Sequence, residues 1–325
     1  MKTNSEQIWY SNNLKSTFLL PLSWLFRLVV FIRRVIYKLK SSNTGLEDVF
    51  IIIVGNITVG GAGKTPFVAY LAQQFKQNGN QVGIISRGYK RKSNGLIEVM
   101  SNSSANEVGD EAVLLKQIVD CPVAVATDRR EAACYLHANY QLDVIISDDG
   151  LQHYKLPRDY EIIIVDGERE FGNNRLLPAG PLREPVSRLN NVDLVISNGA
   201  NPSYEYQYWA NLDGAISIAS QEEKSLETFK GLRVHAVAGI GNPKRFFDML
   251  EDIGINVIAH TFADHHEFQM EDLRFDDELP ILMTEKDVIK CLDFKLQNIW
   301  YVPLKIDLNA ELSHKVNTIL EEKQK

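Results

Sequence analysis

The sequence predicts an α/β protein: a parallel sheet with helices on both faces, a second and smaller α/β domain, and an N-terminal membrane-associated helix. Apolar runs carry the first expectation. FIIIV, QVGIIS, PVAVAT, LDVIIS, EIIIVD and VDLVIS alternate with stretches of helical spacing at Phe67 to Lys76, Asp110 to Val119 and Arg129 to Asn139. Strands apolar on both sides are those of a parallel sheet covered by helices. A second alternation, RVHAVAGI, INVIAHTF, ILMTEK and IWYVPLKI, predicts the smaller domain, with a helix opened by Asn242 and Pro243 and a last helix near Ala310 to Glu322. Length agrees, since 325 residues suggest about two domains at ~150 residues each. The expected divisions are residues 1–40 for the membrane-interface helix, 41–203 for the first domain, 204–230 for a polar linker and 231–325 for the C-terminal domain.

Composition excludes several classes. Hydrophobic residues make up 45% and charged residues 24%, values of a folded chain and not of a disordered or collagen-like one. With 35 Lys and Arg against 42 Asp and Glu the net charge is −7. No nucleic-acid partner is expected, because neutralising phosphates takes a surplus of cations. The charge is unevenly spread, however. Residues 1–40 hold seven cations against the single acid Glu6, a net +6 that leaves −13 for the rest. Three scattered cysteines, Cys121, Cys134 and Cys291, form no metal-binding spacing and fit a reducing compartment.

From Phe18 the chain reads FLLPLSWLFRLVVFIRRVIYKLK, interrupted by Pro21 and Arg27 and closed by Arg33, Arg34, Lys38 and Lys40. This is short and charged for a membrane span, which wants ~20 apolar residues, and its charges follow the apolar run instead of preceding it as in a cleaved leader. At 3.6 residues per turn Arg27, Arg34 and Lys38 share a stripe, while Leu25, Leu28, Phe31, Ile32, Val35 and Ile36 occupy much of the remainder. An interfacial helix is expected, its apolar side in the acyl boundary and its cations on an anionic membrane surface. A first helix packed on the protein's own core and a full span are the alternatives.

Next come FIIIV, the loop GNITVGGAGKTP and the helical FVAYLAQQFKQNG. Strand, glycine loop, helix is the context of a nucleotide-binding P-loop, which makes the sheet P-loop NTPase-like. Thr58, Val59, Gly60, Gly61, Ala62, Gly63, Lys64 and Thr65 are the nucleotide-binding stretch expected to take ATP. Its glycines let backbone N–H groups close on phosphate, Lys64 reaches the β- and γ-phosphates, and Thr65 ligates Mg²⁺. The strict pattern wants glycine where this chain has Thr58. LDVIIS then delivers Asp148 and Asp149 at a strand end, as an element that holds Mg²⁺ beside the phosphates does.

Together these stretches resemble one family, the tetraacyldisaccharide 4'-kinases (lipid A 4'-kinases). The resemblance rests on VGNITVGGAGKTP, SRGYKR, VGDEAVLL, SDDGLQH, LLPAGPLREP, FADHHEF and TEKDVIK, in this order along nearly the whole chain. It implies transfer of the ATP γ-phosphoryl group, with Mg²⁺, to the 4'-hydroxyl of an acylated disaccharide 1-phosphate lipid at the cytoplasmic face of the inner membrane. It also implies a carboxylate and an imidazole acting together on the attacking hydroxyl, Asp110 in VGDEA and His265 in FADHH, with His266 the neighbouring ambiguity. Arg183 in GPLREP is a catalytic candidate for contact with a phosphate or the moving phosphoryl group; Glu184, Arg87 to Arg91, Arg129 and Arg130 are weaker ones. The rival reading is a membrane-associated ATPase switch of the MinD and ParA type, whose signature lysine would fall at Val59.

Overall fold

Each apolar run forms a strand. The computed structural model describes residues 8–11, 13–39, 45–292, 294 and 298–322, with the side chains of Lys38, Leu39, Leu320 and Glu322 left out. Its strands are β1 (Phe50–Gly55), β2 (Val82–Ser86), β3 (Ile97–Glu98), β4 (Val123–Val125), β5 (Val144–Asp148), β6 (Tyr160–Asp166), β7 (Leu194–Asn198), β8 (Tyr206–Leu212), β9 (Ala215–Ser217), β10 (Glu223–Lys224), β11 (Arg233–Ala238), β12 (Asn256–Thr261), β13 (Ile281–Thr284), β14 (Ile299–Val302) and β15 (Leu304–Leu308). The helices used below are α1 (Leu14–Phe18), α2 (Leu20–Leu39), α3 (Lys64–Gln77), α4 (Ala105–Val108), α5 (Asp110–Ile118), α6 (Arg129–Tyr140), α7 (Pro243–Asp252), α8 (Glu285–Val288) and α9 (Ala310–Glu322).

Nine strands make the first sheet, in the order β15-β8-β7-β6-β1-β5-β2-β4-β3, parallel from β8 to β4. Alternate residues of β1 serve opposite cores: Ile52 and Val54 pack with Phe67, Leu71 and Phe75 of α3, whereas Ile51 and Ile53 pack with Ala132 and Leu136 of α6. The period-2 pleat of an all-apolar strand thus demands a helix on each face. Each fully buried Phe or Leu contributes about 1.5–3 kcal/mol.

The second sheet runs β10-β9-β14-β13-β11-β12, with α7 packed on β11 and β12. Two parts of the linear division change. The stretch expected as a linker holds β8 of the first sheet and β9 and β10 of the second. Residues expected in the C-terminal domain also cross back: β15 pairs antiparallel with β8, Leu304 opposite Leu212, and Leu312, Val316 and Ile319 of α9 join the first core. The sequence pattern gave no sign of this return, because an edge strand such as LKIDL looks alike in either sheet.

Helix α2 docks by a narrow stripe. Leu20, Ser23, Phe26, Val30, Arg34 and Tyr37 are its buried or half-buried residues among those described, spaced so that one side faces the body. Ser23 Oγ donates to Leu176 O at 2.8 Å and accepts from Ala179 N–H at 3.1 Å, which ties the helix to the LLPAGPLREP segment. Trp24, Leu25, Leu28, Phe31, Ile32, Val35 and Ile36 lie on the other side, 67% exposed at Trp24 and 62% at Phe31. Packing on the protein's own core is therefore limited to the docked stripe. Arg27 is exposed but Arg34 is on the docked side, so the expected basic stripe is split. Lys2 and Lys40 lie outside the described residues. No helix among the described residues is long and apolar enough to cross a membrane.

Candidate active site

The glycine loop leaves the C-terminal end of β1 and enters α3. Gly60 (φ 108°) and Gly63 (φ 85°) adopt left-handed backbone, which glycine takes up without a Cβ penalty. Thr58 has no positive φ. It forms an isolated antiparallel bridge with Leu182 while Val59 N–H donates to Pro181 O at 2.8 Å, so the loop's first half lies extended along LLPAGPLREP. A β-branched residue suits that position, which accounts for the departure from the glycine pattern. The first turn of α3 has neither a side-chain cap nor an acid. Its N–H groups and positive dipole end are left for an anion.

Lys64 Nζ is 3.3 Å from Asp149 Oδ1 and donates to Asn56 Oδ1 at 3.3 Å, and Thr65 Oγ1 donates to Asp148 Oδ2 at 3.1 Å. These acids reach the loop because Val54 of β1 and Asp148 of β5 are register partners. A cavity of 560 Å³ opens on Gly61 to Thr65 and is bounded across the cleft by Arg245, Glu285 and Lys286.

The two acids are shifted in opposite directions. Burial alone would raise the Asp149 carboxyl, but Lys64, Arg183 and Arg129 together hold it well below the usual carboxylate range; Arg183 Nη1 donates to Asp149 Oδ2 at 3.1 Å. Asp148 is buried with no hydrogen-bond partner for Oδ1. Burial and then the neighbouring Glu111 push its carboxyl up to about 7. A buried carboxylate oxygen without a donor beside a threonine hydroxyl fits a divalent cation. Among the described residues no group of three or more His, Cys, Asp or Glu could hold a metal ion. The remaining ligands of Mg²⁺ would be phosphate oxygens and water, its usual habit.

Asp110 opens α5 behind Gly109, whose φ is 91°. His265 follows β12 at φ 64°, held there by its N–H bond to Gly239 O at 3.1 Å. One opens a helix beside the first sheet and the other follows a strand of the second, and His265 Nδ1 lies 2.7 Å from Asp110 Oδ2. Glu111 N–H donates to Asp110 Oδ1 at 3.0 Å and Lys290 Nζ is 3.7 Å away. Burial would raise the Asp110 carboxyl, yet the His265 hydrogen bond with Lys286 and Lys290 brings it down to about 2. It is a carboxylate throughout the neutral range. A second cavity of 860 Å³ is lined by this pair with Tyr89, Lys90 and Lys290. His266 turns elsewhere: Nε2 lies 2.9 Å from Asp272 Oδ2, and the ring packs on Phe262 and Phe268. His265 thus reaches Asp110 and not the P-loop directly, while Glu111, the next residue of α5, lines the P-loop cavity.

The family model described as tetraacyldisaccharide-1-P 4'-kinase matches residues 15–321. The chain belongs to that family. A tetraacyldisaccharide 4'-kinase of Nitrosococcus oceani is 45% identical over 318 residues, covering 98% of this chain and 94% of that protein. One of Methylobacillus flagellatus is 48% identical over 315 residues, 96% of this chain and 94% of its own. The fold is similar to the crystal structure of LpxK from Aquifex aeolicus in complex with ATP, with a TM-score of 0.78 and 29% identity over 94% of this chain and 99% of that one.

In this member of the family the expected residues fall into two contact groups. Lys64, Thr65, Asp148, Asp149 and Arg183 form one, and Asp110 with His265 the other. Two weaker candidates make contacts within the protein. Glu184 is fully buried, accepting from Gln152 Nε2 at 3.0 Å and lying 3.4 Å from Arg188 Nε; Arg129 donates to the backbone carbonyl of Asp149 at 2.8 Å, bracing the acids from below. Sequence reasoning missed Asn56, Glu111 and Lys286. Lys286 Nζ lies 3.2 Å from Glu111 and 3.7 Å from Asp264. Burial would lower its ammonium, but Glu111, Asp110 and Asp264 hold it above the usual lysine range. The available signal was position: Glu111 follows Asp110, and Lys286 sits inside the TEKDVIK stretch.

Proposed function

We propose that this chain is an ATP-dependent kinase that transfers the γ-phosphoryl group to the 4'-hydroxyl of a tetraacyl glucosamine disaccharide 1-phosphate, giving the bis-phosphorylated lipid A precursor. The observation that carries the reading is the uncapped start of α3 behind Gly60 and Gly63, with Lys64 and Thr65 aimed at Asp149 and Asp148, in a chain whose family is named for that acceptor. Lys64 and Arg183 would exchange Asp149 for phosphate oxygens as ATP enters. Thr65 and Asp148 would hold Mg²⁺, which supplies positive charge to the phosphate oxygens. Asp110 would accept the proton of the acceptor hydroxyl while His265 orients it. The new bond joins that oxygen to the γ-phosphorus, and the bridging P–O bond breaks with its electron pair on ADP. Incubation with γ-labelled ATP, Mg²⁺ and the tetraacylated disaccharide 1-phosphate should place label in lipid; label appearing only as inorganic phosphate would support an ATPase switch instead.

The same reading sets the protein on the cytoplasmic face of the bacterial inner membrane, peripheral or monotopic, with an anionic membrane surface as partner. It is supported by the apolar side of α2 facing away from the body, with exposed Arg27 and Arg33 beside the docked stripe. That places cations at headgroup level when the apolar side sinks into the acyl boundary. Replacing Leu25, Leu28 and Ile32 together by Gln should lower co-sedimentation with phosphatidylglycerol vesicles by roughly tenfold or more and leave the melting temperature almost unchanged, since exposed side chains contribute little to stability. Unaltered vesicle binding would remove α2 as the membrane contact.

A further inference from the structure

Three consecutive carbonyl oxygens of the glycine loop are each held by a different side chain. Gly61 O accepts from Arg169 Nη2 at 2.7 Å, Ala62 O from Asn198 Nδ2 at 3.1 Å, and Gly63 O from the Tyr208 hydroxyl at 2.6 Å. The donors come from neighbouring strands in order. Arg169 is fixed by Asp166 at the end of β6, its Nε donating to Oδ2 at 2.9 Å; Asn198 ends β7; and Tyr208 lies in β8. Tyr208 is fully buried, with its ring 5.3 Å from Phe67 of α3.

A peptide group is planar and trans, so its C=O and the following N–H point in opposite directions. Fixing the carbonyls of residues 61 to 63 on Arg169, Asn198 and Tyr208 therefore fixes the N–H groups of Ala62, Gly63 and Lys64 toward the opposite side of the loop. That is where phosphate oxygens are cradled. Gly63 completes the fit, because a Cβ there would collide with both Asn198 Nδ2 and the Tyr208 hydroxyl. We propose that Arg169, Asn198 and Tyr208 are positioning residues that pre-set the loop's N–H groups for ATP before it binds. The idea rests on the kinase reading only in taking this loop to be the ATP site.

Asn198 carries a second connection. Its Oδ1 accepts from Arg245 Nη2 at 3.3 Å, and Arg245 belongs to α7, packed on the second sheet. The loop is thus bonded through one amide to the element across the cleft. Ordering the loop in advance removes a cost that ATP would otherwise meet on binding.

Calorimetric titration of the full-length protein with ATP and Mg²⁺, paired with steady-state kinetics, tests this. Tyr208→Phe, which removes one hydroxyl, should raise the Kd and KM for ATP about tenfold, with the acceptor KM unchanged and kcat within about threefold. Asn198→Asp, which keeps an acceptor for Arg245 but loses the donor to Ala62 O, should weaken ATP at least as much. A purely structural role would lower the melting temperature and leave the ATP constant alone. Should Tyr208→Phe not fold, half-exposed Arg169 supplies the decisive variant, Arg169→Gln, with the same expected loss. ATP affinity within twofold of the unaltered protein in the folded variants overturns the proposal. Failure of the unaltered protein to bind ATP would instead overturn the nucleotide site itself.

Discussion

Asp110→Asn is expected to lower kcat by roughly 10²–10⁴-fold, the range for losing a positioned general base, while the KM for ATP stays within about threefold. The geometry behind this is the short contact of His265 Nδ1 with Asp110 Oδ2, 2.7 Å. Asparagine keeps the shape and an acceptor oxygen but takes no proton. The pH dependence follows from the direction of the shift. With its carboxyl brought down to about 2, Asp110 is ionised at every pH above about 4 and is protonated only as pH falls through 2. The deficit of the asparagine variant should therefore be flat above pH 4 as far as Asp110 is concerned, and an acid limb in the unaltered enzyme between pH 5 and 7 belongs to another group. Because the two residues act on one hydroxyl, His265→Asn added to Asp110→Asn should cost much less than the product of the single losses. Multiplicative losses would separate the pair, and near-normal turnover of Asp110→Asn would end its assignment as the base.

Lys64→Met should reduce kcat/KM by roughly 10²–10³-fold, comparable with removal of one electrostatic donor from a transition state. The substitution acts twice. It takes away the cation that faces the phosphates and frees Asp149 from a partner at 3.3 Å. Arg183 and Arg129 remain beside that acid, so the carboxyl moves toward its ordinary range without losing its charge at neutral pH. With one cation fewer beside it, Asp149 disfavours the incoming phosphates, which makes the KM for ATP rise along with the fall in kcat. Activity within tenfold of the unaltered enzyme would show that Lys64 does not face the transferred phosphate.

Much of this site is legible in local pattern. FIIIV followed by GGAGKT fixes a strand, a loop and a helix start within one short stretch, so Lys64 and Thr65 are placed by neighbours in sequence. Asp148 is legible for a related reason: an apolar strand of a parallel sheet sends its last residue to the same edge as the loop after β1. The pairing of Asp110 with His265 is implied only by the family resemblance; no periodicity places the start of one helix against a loop that follows a strand of the other sheet. The donors to the loop carbonyls were out of reach for the same reason. Asn198 and Tyr208 look like ordinary strand residues in VDLVISN and YQYWANL, and only the order of β6, β7 and β8 aligns them with Gly61, Ala62 and Gly63. The return of β15 and α9 was hidden because hydrophobic spacing specifies burial, not which core does the burying.

That return has a consequence for how the molecule is assembled. The chain leaves the first sheet after Leu212 and comes back at Leu304, and these two residues face each other across the β8–β15 pair. Between the sheets, Asp213 N–H donates to Pro303 O at 3.0 Å, so the outgoing and incoming segments are fastened to each other. The second sheet with its helices is thus an insertion in a hairpin, suspended from a two-stranded neck. Across the cleft it meets the first sheet's helices through Asp110 with His265, Glu111 with Lys286 and the Asp264 carbonyl with Lys90, and through Ile289, which packs in the first core. With Leu212 and Leu304 paired, the whole insertion stands where a hairpin would have its turn, so both ends of a long excursion are held together by one pair of strands.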